Sequence, residues 1–192
     1  MILYPTETLY ALGVNALEVK ELQKLYVQKE RDPSKATSWL VRDMNDVRKY
    51  AFVGVKAAKI AEQFLPGKLT LVLKALPSLP REILSTDGTV GFRISSDIHA
   101  QKLIADWMEK NNAPLTCTSA NVSGLATLGT VGEILQQFGP RAKIITNIID
   151  DGPRKGLAST IVRVIDEEVT VLREGDISEA EIMEVVESYY NR

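Results

Sequence analysis

The segment PLTCTSANVSG (residues 114–124) runs from Pro114 and Leu115 into a Ser-Gly pair, the pattern of a short buried strand passing into a loop. Side chains alternate between the two faces of a strand. Cys117, Ser119 and Asn121 therefore fall on one face, and Thr116, Thr118 and Ala120 on the other. A strand end that offers a hydroxyl and a carboxamide on one side, among small residues, makes a floor for a polar ligand. The same residues also suit a turn whose side chains bond only their own backbone. The segment leaves both readings open.

Three more polar stations lie elsewhere in the chain. PTETLYALG (5–13) follows a very short apolar run at 2–4. If extended it puts Thr6 and Thr8 on one side, with Glu7 between them; otherwise Thr6 caps a turn. Val19, Leu22, Leu25 and Tyr26 predict a helix over 18–28, which leads into KERDPSK (29–35). Pro33 disfavours helix at Asp32, so Lys29, Glu30 and Arg31 are expected at a frayed end, with Lys29, Arg31 and Lys35 on one loop. Cations suit the carbonyl end of a helix, and by itself such a run is a solvated helix end. TVGFRI (89–94) predicts a strand with Arg93 inside it. That arginine either points to water from an edge or is a fixed receptor for carboxylate or phosphate, whose geometry the planar guanidinium matches.

Further strands are predicted at 37–41, 68–74, 143–149, 159–165 and 169–173, the last two paired. Helices are predicted at 44–50, 55–64, 98–110, 131–138 and 178–190, with Asp43 and Asp97 as N-caps and a Ser178/Glu181 capping box. His99, in the first turn after Asp97, reads as a surface residue. Strands and helices alternate without strict βαβ regularity. This predicts an α/β fold, a single domain over residues 1–192 around a mixed, twisted sheet.

Composition narrows the function. The chain has 192 residues and a formal net charge of −2, so no global basic field announces nucleic acid, although a local patch remains open. One cysteine excludes an intrachain disulfide and a Cys-rich zinc site, and one histidine argues against a Ser-His-Asp triad or a histidine-rich metal centre. No apolar run approaches the ~20 residues of a membrane span, and MILYPTETLY lacks the features of a secretory signal. The expectation is a soluble, cytoplasmic protein.

Taken in order, PTETLYALG, KERDPSK, PGKLTLVL, VGFR, TSANVSG, ASTIV and LREG resemble the YrdC/TsaC family of threonylcarbamoyl-adenylate synthases, from residue 3 to about residue 175. The resemblance implies an α/β fold with an open concave cavity lined by basic and hydroxyl side chains. It implies an enzyme that joins L-threonine, bicarbonate (or carbon dioxide) and ATP into threonylcarbamoyl-AMP, releasing pyrophosphate. A partner transferase then modifies tRNA. The family's Lys-x-Arg and Ser-x-Asn pairs fall on Lys29, Arg31, Ser119 and Asn121. Thr8 and Arg93 match positions that hold threonine, the arginine on its carboxylate, with Cys117 and Ser159 flanking it. Arg31, Lys35, Ser119, Thr127 and Arg173 match positions that approach the nucleotide.

The chemistry suits those residue types. Carboxylate, carbamate and triphosphate must be brought together against their mutual repulsion, so fixed cations such as Lys29, Arg31 and Arg93 are expected to carry much of the catalysis. Ser119 and Asn121 would orient phosphate oxygens. No protein metal site is expected; Mg2+ would ride on the triphosphate, since no carboxylate cluster is evident.

Several positions depart from the family pattern. Family members usually carry a helix before the first strand, so the cavity is expected to be less shielded there unless the start lies late. Asp32 separates Arg31 from Pro33, and Lys68 replaces a common proline. Leu40 stands where some members have histidine, so that contact to threonine should be absent or apolar. Two alternatives remain: a non-catalytic relative that binds tRNA or double-stranded RNA, and the YciO-like branch. Members of that branch depart from the Lys-x-Arg and Ser-x-Asn pairs, both intact here.

Overall fold

The computed structural model describes residues 1–188. Among them, nine strands form one sheet in the order β7-β1-β2-β6-β3-β5-β4-β8-β9. They are β1 (Ile2–Pro5), β2 (Tyr10–Gly13), β3 (Ser38–Leu40), β4 (Leu69–Lys74), β5 (Thr89–Arg93), β6 (Leu115–Ser119), β7 (Asn147–Ile148), β8 (Thr160–Ile165) and β9 (Glu168–Arg173). The sheet is mixed: β1/β7, β3/β5 and β4/β8 pair parallel, and the other neighbours antiparallel. The helices are α1 (Val19–Lys29), α2 (Met44–Arg48), α3 (Val55–Phe64), α4 (Ile98–Asn111), α5 (Val131–Phe138) and α6 (Glu179–Glu187).

Period-two burial sorts the strand residues into two sets. Leu69, Leu71 and Leu73 of β4, Val90 and Phe92 of β5, Trp39 of β3 and Val162 and Val164 of β8 enter the main core. There Trp39 meets Tyr50 and Phe92 edge-on, at centroid distances of 5.6 and 5.9 Å, a favoured aromatic geometry. The alternate residues Ile2, Tyr4, Ala11, Leu40 and Leu115 form a smaller cluster with Ala100, Ile104 and Met108 of α4. That helix covers only part of its sheet face. The remaining alternate positions, Ser38, Thr70, Val72, Gly91, Arg93 and Cys117, line a cavity instead.

Asp43, Asp97 and Ser178 cap their helices as the sequence predicts, and Ser178 and Glu181 complete a capping box. Two expectations are corrected. The strand predicted at 143–149 is reduced to Asn147–Ile148, because Pro140 opens a 3-10 turn that runs through Gly139–Ile144. The frayed end expected for α1 is a sharp stop: Glu30 adopts a left-handed conformation (φ 49°, ψ 41°) and its N–H returns to the carbonyls of Tyr26 and Val27. The predicted end of the last helix, at Tyr190, lies outside the described residues.

Candidate functional site

The cavity has a volume of about 310 Å³ and draws residues from all along the chain. Thr6 and Thr8 enter from the turn between β1 and β2. Their hydroxyls bond each other at 2.9 Å, and the Thr6 hydroxyl also donates to the Leu9 carbonyl at 2.6 Å, so the turn is closed by its own side chains. Arg31 and Lys35 enter from the loop after α1. Arg31 braces that loop, with Nε donating to the Lys35 carbonyl and Nη2 to the Ala36 carbonyl, each at 2.8 Å. Asp32, the departure from the family pattern, accepts the Ser34 N–H at 2.9 Å and so shapes the turn while Arg31 lines the cavity.

Arg93 ends β5 and is 3 % exposed. Its Nη2 donates to one oxygen of the Glu7 carboxylate, and the Ser95 hydroxyl donates to the other. Its buried Nε has no hydrogen-bond partner among the described residues. Buried donors are normally satisfied, so an unpartnered N–H on a guanidinium that lines the cavity marks Arg93 as the least satisfied cation of the site. Beside it, Cys117 is half-buried, and burial pushes its thiol up while Arg93 pulls it down. Gly91 keeps the floor low: a Cβ there would come within 3.2 Å of Thr70 Cγ2 and 3.3 Å of Ser38 Cβ.

Ser159 and Arg173 close a further side. Arg173 donates through Nε and Nη2 to the Ser159 carbonyl at 3.1 and 2.7 Å, and the Ser159 hydroxyl bonds that of Thr70 at 2.8 Å. Burial, with the charge of Arg93 adding to it, pulls the Arg173 guanidinium down from its ordinary value. Cationic groups are thus distributed around the cavity, a layout that can hold more than one anion at once.

Thr8, Arg31, Lys35, Arg93, Cys117, Ser119, Ser159 and Arg173 line this cavity. Lys29, Asn121 and Thr127 do not. Thr127 sits on an exposed stretch of the loop after β6. Lys29, expected on a solvated loop, is 1 % exposed because its Nζ turns inward to the carbonyl oxygens of the Ser119–Asn121 turn. Burial first, and then the charge of Arg31, bring its ammonium down to about 7. Leu40 is fully buried against α4 and forms no part of the cavity wall.

Sequence reasoning missed the counter-ion and the outer brace. Glu7 was visible only as a spacer between two threonines, and its partners lie 86 and 88 residues away. Arg154, in the loop before β8, donates from Nε to the Thr6 carbonyl at 3.0 Å and from Nη2 to the carboxylates of Asp97 and Asp151 at 2.9 and 2.7 Å. The loop thereby clamps the threonine turn to the start of α4. The DDGPRKG spacing alone announced a turn. His99 meets Asp151 at 3.3 Å on the same outer edge. Among the described residues no group of three or more His, Cys, Asp and Glu side chains could hold a metal ion, and no helix is long and apolar enough to cross a membrane.

Comparison with known proteins places the fold. The Sua5_yciO_yrdC family model, described as "Telomere recombination", matches residues 1–175. A Methanocaldococcus jannaschii protein, provisionally named a threonylcarbamoyl-AMP synthase, is 38% identical over 178 residues, which cover 92% of this chain and 80% of that one. The crystal structure of P. abyssi Sua5 complexed with L-threonine superposes with a TM-score of 0.85 at 29% identity; the match covers 96% of this chain and 53% of that one, so the chain spans about half the length of that relative. The E. coli YciO crystal structure superposes with a TM-score of 0.80 at 25% identity, covering 94% of this chain and 85% of that one.

Proposed function

The chain belongs to the Sua5/YciO/YrdC family, and on that premise we propose that it is a threonylcarbamoyl-AMP synthase, acting on L-threonine, bicarbonate or carbon dioxide, and ATP. The observation that carries this reading is the pairing, in one cavity, of a buried arginine whose Nε lacks a partner with a separate Arg31/Lys35/Ser119 wall. Arg93 would take the threonine carboxylate through its guanidinium, with the Thr8 hydroxyl, Cys117 and Ser159 around the amino acid. Arg31, Lys35, Ser119 and Arg173 would hold the triphosphate.

In the reaction, the threonine amine adds to carbon dioxide and loses a proton, giving an N-carboxylate. One oxygen of that carboxylate attacks the α-phosphorus of ATP, and the bond from the α-phosphorus to the bridging oxygen breaks, releasing pyrophosphate. The chain's own residues offset the repulsion between the two anions and hold them at attacking distance. Mg2+ would ride on the triphosphate oxygens. The product would pass to a tRNA-modifying transferase, in the cytoplasm.

The test is pyrophosphate release from ATP by the purified protein. Release that requires both threonine and bicarbonate, and that falls about 100-fold in kcat/KM for threonine in Arg93→Gln, supports the reading. No threonine-dependent release from the folded wild type overturns it.

A further inference from the structure

The Lys-x-Arg and Ser-x-Asn pairs do not face the cavity as one set. An ammonium has three N–H donors. Those of Lys29 reach the Ser119 carbonyl, the Asn121 carbonyl at 2.8 Å and Asn121 Oδ1 at 3.3 Å. Asn121 is equally committed. Its Oδ1 also accepts the Ser119 hydroxyl at 2.7 Å, and its Nδ2 donates to the carbonyls of Val122 at 3.1 Å and Leu125 at 2.7 Å. The main chain ties the same knot, since the Ser123 N–H donates to the Lys29 carbonyl at 2.7 Å. Neither side chain keeps a free group for a substrate, and neither lines the cavity, whereas Arg31 and Ser119 do.

We propose that Lys29 and Asn121 are positioning residues: together they lock the 119–125 turn beneath the cavity and so hold Ser119 at its surface, leaving the contacts to the anionic substrates to Arg31 and, once its hydroxyl proton turns from Asn121 Oδ1 to the substrate, to Ser119. This rests on the synthase reading and refines it. The physical basis is the cost of unpaired buried groups. Without the Lys29 ammonium, the buried Asn121 carbonyl loses its donor, while the Ser119 carbonyl and Asn121 Oδ1 each keep one donor of two, and the turn must open to water to make good the losses.

The first test needs no substrate. In the free protein, amide hydrogen exchange at 121–125 should be at least about tenfold faster in Lys29→Met than in wild type, and unchanged in Arg31→Met. Unchanged exchange in a folded Lys29→Met overturns the proposal. If that variant does not fold, Asn121→Ala undoes the knot from the other side and is read the same way, with the same two outcomes. The second test is a double-mutant cycle on kcat/KM. In a Ser119→Ala background, Lys29→Met should cost no more than about threefold. Two large, additive losses would mean that Lys29 meets substrate by itself, and would also overturn the proposal. Wild-type turnover tests the synthase reading separately; should it be absent, the exchange result alone decides for or against the positioning role.

Discussion

The Glu7 carboxylate and the Arg93 guanidinium form an ion pair inside the protein, between the β1–β2 turn and the end of β5, with side chains 12% and 4% exposed. The Ser95 hydroxyl fixes the second carboxylate oxygen. Breaking such a pair from one side leaves a buried charge without compensation. Glu7→Gln should therefore destabilise the fold by about 3 kcal/mol, read as a lower urea midpoint at neutral pH. An unchanged midpoint would show that Arg93 does not depend on Glu7.

Lys29 predicts a pH dependence. Its folded value, about 7, lies below the ordinary 10.5. Between those values the unfolded chain binds the extra proton, so this group's contribution to stability rises with pH across the window and is lost as pH falls toward 7. Lys29→Met removes it. The difference in unfolding free energy, wild type minus variant, should climb from about pH 7 to about pH 9.5. A flat difference would show that Lys29 titrates normally.

Asp46 predicts a dependence of the same sign at acid pH. Hydrogen bonds from Arg42 first, and then from Lys49, hold its carboxyl down at about 2, with Arg42 Nε and Nη2 at 2.6 and 2.7 Å and Lys49 Nζ at 2.7 Å. A folded value below the ordinary 3.8 gives stability that is complete above that value and lost as pH falls through about 2. The two cations are about half exposed, Arg42 41% and Lys49 53%, which discounts the gain. Asp46→Asn should cost about 1 to 2 kcal/mol at neutral pH, and the two proteins should converge in acid. Equal stability at neutral pH would remove the pair from the account.

Gly156 tests the clamp over the threonine turn. A Cβ there would sit 2.7 Å from the Thr8 carbonyl oxygen and 3.1 Å from Thr8 Cα. Gly156→Ala must push the loop off the cavity edge, at a cost of about 1 to 3 kcal/mol. Gly132→Ala in α5 meets nothing within 4 Å and should be neutral or stabilising by up to about 1 kcal/mol. Equal melting temperatures for the two variants would show that the close approach to Thr8 does not constrain the loop.

Most elements could be read from the chain because their causes are local. Leu69, Leu71 and Leu73 alternate with Thr70 and Val72, and Asp43, Asp97 and Ser178 each stand one residue before a helix. The candidate site was legible only in part. Arg93 stood out as a charge inside an apolar strand, and Cys117 and Ser119 shared a strand face that does line the cavity. Asn121, placed on that same face by alternation, lies past the end of β6 and turns into the loop instead. Glu7 gave no signal, since nothing in PTETLYALG says which distant cation its carboxylate meets.

The amino-acid order by itself determined where most strands and helices lie, and which strand residues are apolar on one side and polar on the other. Those properties follow from backbone sterics, capping and side-chain periodicity, all felt within a few residues. Only the tertiary structure decided which polar face became a cavity, because that depends on how far α4 reaches across the sheet. It alone also decided that Lys29 is buried while Arg31, two positions on, lines the cavity: the oxygens that capture the ammonium belong to a turn some ninety residues downstream, brought beneath α1 by the pairing of β6 with β2 and β3.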